Sequence, residues 1–273
     1  MRFIDFDSFS PSEAWRQRAR LAESELAQRT THEERMRYIE ANSQIWRDLR
    51  QELIQQFGSR CWFTDAEETV AQLDTEHFRP KARVVEEDGT SSEGYWWLAF
   101  DYQNMRLAGQ IPNRQHKRCF FPLLPQSFRA NSQNRRWREE NPVFLDPIKI
   151  DDVNLVSYSE EGAVVPSPSA ITPEEQYRVR KTNELLGLSA HPPLVEARQR
   201  VWSHCRDVIA QVERLKAEER EYGSSTPRTK AERERLMKEL RRMIQARTPL
   251  SSVARACIFM SGLSWAQKLV ESI

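Results

Sequence analysis

The chain has 273 residues, 39% hydrophobic and 30% charged, with a formal net charge of +1. That length suffices for one or two domains with a sizeable core. No run of about 18 apolar residues is present, so no membrane span is expected, and Asp5 and Asp7 interrupt any apolar leader, so a cytoplasmic protein is expected.

Residues 11–57 are predicted to be helical. Ser12 stands before one helix running to Gln28, and Thr31 with Glu34 forms the pattern of a capping box ahead of a second helix over 36–57. Ile45, Leu49, Leu53 and Ile54 keep the spacing of one buried face, and Gly58 is a natural stop. Residues 59–123 change character, with short aromatic stretches such as Cys61-Trp62-Phe63 and 95–100 between acidic and Asp-Gly turns. Trp96 and Trp97 read as core, residues 86–94 as an exposed loop, and 124–150 as irregular. A small hairpin is predicted over 155–165 around Glu160-Glu161-Gly162.

From Thr172 the pattern is helical again. One helix starts at Pro173 and ends near Leu186-Gly187, a longer one covers 194–222, and another covers 230–247 beyond the break at 223–227. A single final helix after Pro249 would turn Val253, Ala256, Cys257, Met260, Trp265 and Leu269 inward. The expected fold class is therefore α+β, mainly helical: a small mixed core over 59–150, an N-terminal helical segment over 1–58, and a hairpin with a helical region over 151–273. The cysteines Cys61, Cys119, Cys205 and Cys257 contain no C-x-x-C pair, which fits reduced thiols.

The balanced net charge hides a local excess. Between Tyr102 and Arg138 there is no acid, but there are the cations Arg106, Arg114, Lys117, Arg118, Arg129, Arg135, Arg136 and Arg138. A purely basic segment of this kind is the electrostatic footprint of a nucleic-acid contact.

That segment overlaps a set of residues suited to phosphodiester hydrolysis. Asp74-Thr75-Glu76-His77-Phe78-Arg79-Pro80-Lys81 puts a histidine beside acids, and Asn104 and Asn113 follow. A neutral imidazole can accept the proton of an attacking water, provided its other nitrogen is held by a carbonyl. A carboxylate and an amide can hold a divalent cation that keeps several waters. His77 is the candidate base, and Glu76 the candidate metal ligand with Asp74 as its alternative. Asn113 is the second ligand, and Asn104 braces the turn or orients His77. Adjacent residues on an extended strand face opposite ways, so Glu76 and His77 call for a bend near that point.

The stretch 74–81 resembles the E-H-F-R-P-K motif of a branch of the HNH, or ββα-metal, nucleases. Residues 94–104 resemble that branch's second motif, and 113–117 with Phe121-Pro122-Leu123 its third. The branch is similar to the HNH nucleases of Septu-type and retron-associated bacterial anti-phage systems, in which the nuclease is paired with an ABC/SMC-like ATPase. The resemblance implies a ββα-metal core, His77 as general base, Asn104 as the bracing residue, Glu76 and Asn113 at the metal, and Mg2+ or Mn2+ as the ion. It makes Arg79, Lys81, Arg114 and Lys117 phosphate contacts and His116 an extra ligand or phosphate donor. It also implies a hetero-oligomer with an ATPase partner and nucleic acid as substrate, DNA favoured and RNA or tRNA the alternative. A non-catalytic HNH-like adaptor is the reading from another class.

Many HNH proteins carry two C-x-x-C knuckles around a structural zinc. Here Cys61 keeps one such position, while Thr64, Gly109 and Pro112 stand at the others, so no structural zinc is expected. Apolar packing of Trp62, Phe63, Trp96, Trp97 and the flanking helices is expected in its place.

Overall fold

A computed structural model describes residues 1–67, 73–109, 119–223 and 225–271. Three helices come first: α1 (Glu13–Ala27), α2 (His32–Ala41) and α3 (Gln44–Phe57). Ser12 accepts the Trp15 N–H to cap α1, and Thr31 and Glu34 complete a reciprocal capping box on α2. The single helix predicted over 36–57 is in fact two. Asn42 ends α2, its side-chain amide donating to the Tyr38 carbonyl at 2.9 Å, and the chain restarts as α3. An Asn side chain competes in this way with the helical ladder, which makes it a natural break.

The mixed part is built from short antiparallel pairs. Strand β1 (Asp74–His77) pairs with β4 (Met105–Ala108), so that His77 faces Met105 and Glu76 faces Arg106 across the ribbon. Strand β2 (Arg83–Val85) pairs with β3 (Ser91–Glu93). The stretch 86–94 is thus not loop throughout: its second half is an exposed edge strand, polar because it faces water. Residues 95–104 fold as two short 3-10 turns that bury Trp96 and Trp97 together with Tyr95 and Phe100.

Beyond the irregular stretch come α4 (Ile150–Asn154) and the expected hairpin, β5 (Val156–Tyr158) with β6 (Val164–Pro166). Helices α5 (Pro173–Leu186), α6 (Pro192–Glu221), α7 (Pro227–Met243), α8 (Ser251–Met260) and α9 (Ser264–Glu271) complete the chain. Gly187 closes α5 in the left-handed conformation. The one final helix predicted after Pro249 is two, because Gly262 turns with φ +68° between them; Met260, expected inside, is 60% exposed. The fold is α+β and mainly helical, and none of the described helices is long and apolar enough to cross a membrane.

One contiguous apolar cluster runs from the N-terminal helices through the strands to α8 and α9. The turn over 61–66 is tied into it by charge as well as by rings. Trp62 packs edge-on against Phe6 and Phe57, with ring centroids 5.6 and 5.5 Å away. Asp65, fully buried with φ +59°, accepts from Arg60 Nη1 at 2.8 Å and from the Ser252 N–H at 3.1 Å. Its carboxylate therefore caps the start of α8, where unpaired amides and the helix dipole favour an anion. The expectation of apolar packing at this turn omitted that ion pair, whose helix-cap partner lies 187 residues away in the chain.

Candidate active site

Helix α3 packs across β1 and β4. Side chains alternate along a strand and directly opposed residues share a face. Thr75 and His77 therefore lie with Leu107 and Met105 on one face, and Asp74 and Glu76 lie with Ala108 and Arg106 on the other. The sequence called for a bend between Glu76 and His77, but β1 runs straight through both and turns only at Phe78-Arg79. The two groups can act on one phosphate only across the end of the ribbon.

His77 is 5% exposed. Its Nε2 stands 2.8 Å from the Ala99 carbonyl. A carbonyl only accepts, so Nε2 carries the proton, and in the neutral ring the lone pair is on Nδ1. Trp46 of α3 meets the imidazole edge-on, with centroids 5.1 Å apart and planes at 78°. Lys81 Nζ lies 5.0 Å from the centre of the same indole, within cation–π range. Trp46 thus links the helix, the histidine and the lysine.

Asn104 is fully buried. Its Oδ1 accepts the Arg79 N–H at 2.9 Å, its Nδ2 donates to the Arg79 carbonyl at 3.0 Å, and its own carbonyl accepts the Phe78 N–H at 2.8 Å. It clamps the turn directly after His77, while the Ala99 carbonyl holds the ring itself.

Arg79, a candidate phosphate contact by the resemblance, lies buried. It is 4% exposed, with Nε on Glu140 at 2.8 Å and Nη2 on the Trp137 carbonyl at 2.8 Å. Glu140, also buried, accepts from the Tyr95 hydroxyl at 2.6 Å and the Ala130 N–H at 2.8 Å. Burial, reinforced by Glu140, pushes the Tyr95 hydroxyl far above its ordinary pKa, so it stays a donor. A guanidinium whose charge is matched in this way braces the motif and is not an unbalanced surface cation.

The acid-free segment is likewise only partly a surface. Arg106 is 1% exposed and grips Asp146 through two bonds of 2.7 Å, and Arg129 pairs with Glu86 and donates to Tyr95 at 2.6 Å. Arg135, Arg136 and Arg138 are exposed, with Arg136 paired to Glu139. Asn113, Arg114, His116 and Lys117 lie outside the described residues.

Among the described residues no group of three or more His, Cys, Asp or Glu side chains could hold a metal ion. The donors that β1 does offer are the oxygens of Asp74 and Glu76, two residues and about 7 Å apart on one face. Oxygen donors of this kind suit a hard cation that keeps part of its water shell, and not a tetrahedral zinc. Trp46 and Glu140 were missed from the sequence. Trp46 adjoins the apolar stripe of α3, one turn before Leu49, and that position was its only signal.

No family model matches the chain. Over 111 residues it is 30% identical to the Septu protein PtuB of Bacillus mycoides (strain KBAB4). This chain is similar to a Septu protein. The matched segment is 40% of this chain and 37% of that protein, so the similarity spans well under half of either.

Proposed function

We propose that this chain is a metal-dependent HNH-type endonuclease that cuts DNA in a Septu-type anti-phage system, under the control of an ATPase partner. The observation that carries the reading is His77 at a strand end, fixed through Nε2 by the Ala99 carbonyl and followed at once by the turn that Asn104 clamps. The similarity to a Septu protein supplies the setting.

In this reading Nδ1 of His77 takes the proton of a water as its oxygen forms a bond to phosphorus, and the bond from phosphorus to the leaving oxygen breaks. Glu76 or Asp74, with Asn113, would hold Mg2+ or Mn2+, which when bound neutralises charge on the leaving oxygen. Lys81, steadied on Trp46, and the exposed Arg135, Arg136 and Arg138 approach phosphates without reading sequence. Contacts of that kind give affinity without selection, which is the physical reason for control by a partner.

The adaptor reading keeps one observation in its favour: an imidazole only 5% exposed has little contact with water. One experiment separates the two. Purified protein, with and without the product of its genomic neighbour, is incubated with plasmid and with total RNA in Mg2+ or Mn2+, alongside His77→Ala. Cleavage that disappears in the variant supports the nuclease. Equal cleavage by both proteins, or none under any condition, sinks it. Cleavage of RNA alone replaces the substrate.

A further inference from the structure

A pocket of about 390 Å³ opens beside the Asn104-clamped turn. That is within the roughly 300–1,000 Å³ usual for small-molecule sites. Its chemistry comes in three parts. Two aromatic side chains, Tyr102 and Trp137, are half-buried in its wall. Arg138 and Lys149 stand exposed at its rim, against the single exposed acid Asp7. Arg79 lines it from below: with Nε on Glu140 and Nη2 on the Trp137 carbonyl, its Nη1 makes no hydrogen bond among the described residues.

The buried charges of the pocket are matched, Arg79 by Glu140 and Arg106 by Asp146, so what Arg79 offers is the hydrogen-bonding capacity of Nη1. Asp146 is bound by Arg106 through both oxygens, and the two Nη1 donors of Arg106 go to the Gln103 and Met105 carbonyls at 2.8 Å. The groups facing a ligand are therefore a buried guanidinium edge, two rim cations and the parts of two aromatic rings not already covered, Trp137 carrying Arg79 at 4.9 Å and Arg138 at 4.2 Å and Tyr102 packing on Phe6, Phe9 and Trp15. Arg138 lies over the Trp137 ring at 4.2 Å and donates to Gln103, so the rim cation is already held beside the aromatic wall.

We propose that this pocket binds a nucleotide, with its base against Tyr102 and Trp137 and its phosphate on Arg79 Nη1, Arg138 and Lys149. A simple anion would use the cations and leave the aromatics idle, and an apolar ligand would do the reverse. A nucleotide uses both: base stacking on aromatics and phosphate contacts to Arg and Lys are the general means by which single strands are held. The inference does not require His77 to be catalytic. The nucleotide can be one unit of a strand or a free monophosphate, and the two share this chemistry.

The test uses the full chain in EDTA, so that a strand stays intact. A labelled oligonucleotide carrying 5-iododeoxyuridine is irradiated with the protein and the crosslinked peptide is mapped. Binding of the same oligonucleotide and of dAMP is titrated for wild type and for Arg138→Ala/Lys149→Ala, both surface positions that leave the fold intact. A crosslink at Tyr102 or Trp137, with affinity for the strand about tenfold weaker in the double variant, supports a strand site. Saturable dAMP binding that the variant loses, without strand binding, supports a free-nucleotide site. Crosslinks only elsewhere, or equal affinities for both ligands in both proteins, overturn the pocket. Loss of cleavage in His77→Ala with no effect of the double variant would sink the pocket and leave the nuclease reading standing.

Discussion

The indole of Trp46 meets the imidazole of His77 edge-on at 5.1 Å, while Lys81 lies over the same indole at 5.0 Å. A helix that precedes the motif by some thirty residues thus sets the orientation of its central side chain. In the proposed nuclease, Trp46→Ala should lower kcat roughly tenfold to a hundredfold, because a small misplacement of the proposed base is enough for that. It should also cost about 3–5 kcal/mol of stability. Trp46→Phe keeps a ring edge near His77 and should recover most of both, as read by kcat and by thermal unfolding. Equal kcat in all three proteins would remove Trp46 from the site.

Among the described residues Asp65 is the acidic partner of buried Arg60, and it also caps α8. Removing one member of such a pair leaves the other charge buried, at a cost of about 3–5 kcal/mol. Asp65→Ala and Arg60→Ala should each show losses of that size in urea unfolding. The double change Arg60→Met/Asp65→Leu should lose less than the sum, since neither charge is then left behind. Additive losses would show that the two side chains do not act as a pair.

The Asp146 carboxyl gives a pH dependence. Burial pushes it up, but Arg106 outweighs burial and holds it below the usual carboxylate range. A depressed folded-state pKa means stability that is fully present above the unfolded value, about 3.9, and is lost as the pH falls from there through the folded value. Chemical denaturation between pH 6 and the acid limit should show that loss, and Asp146→Asn should flatten it while lowering stability near neutrality. An acid limb unchanged in the variant would contradict the assignment.

Gly94 is held for space. A Cβ there would stand 2.5 Å from the Ala82 carbonyl carbon and 2.6 Å from the Arg83 nitrogen. Backbone cannot move aside as a side-chain tip can, so Gly94→Ala should destabilise by about 1–3 kcal/mol. The same clash would shift the segment that follows Lys81, so in the proposed nuclease cleavage should fall more than stability alone would require. A thermal midpoint equal to wild type would show that the contact is looser than the structure has it.

Local signals carried much of the fold. The capping box at Thr31, Pro173 with Gly187, and the turn at Glu160-Glu161-Gly162 are each decided within a few residues; α5 and the hairpin are where the sequence puts them, while the helix that Thr31 caps starts earlier and ends sooner than expected. The breaks at Asn42 and Gly262 were missed because apolar spacing continues across them, and spacing does not report where a chain changes direction. The His77, Asn104 and Lys81 positions could be named as chemistry from the motif. What each of them touches could not.

By itself, the sequence determined the class of fold, mainly helical with short strands, and the stretch 74–81 in which an acid and a histidine precede Phe-Arg-Pro-Lys. Only the tertiary structure decided that Arg79 is an internal brace on Glu140, that Asp65 reaches from an early turn to cap α8, and that Trp46 positions His77. The reason is physical. Caps, turns and periodicity are set by neighbours along the chain, whereas the worth of a charge depends on its burial and its partner. These are fixed only when segments 61, 187 and 31 residues apart are folded onto one another.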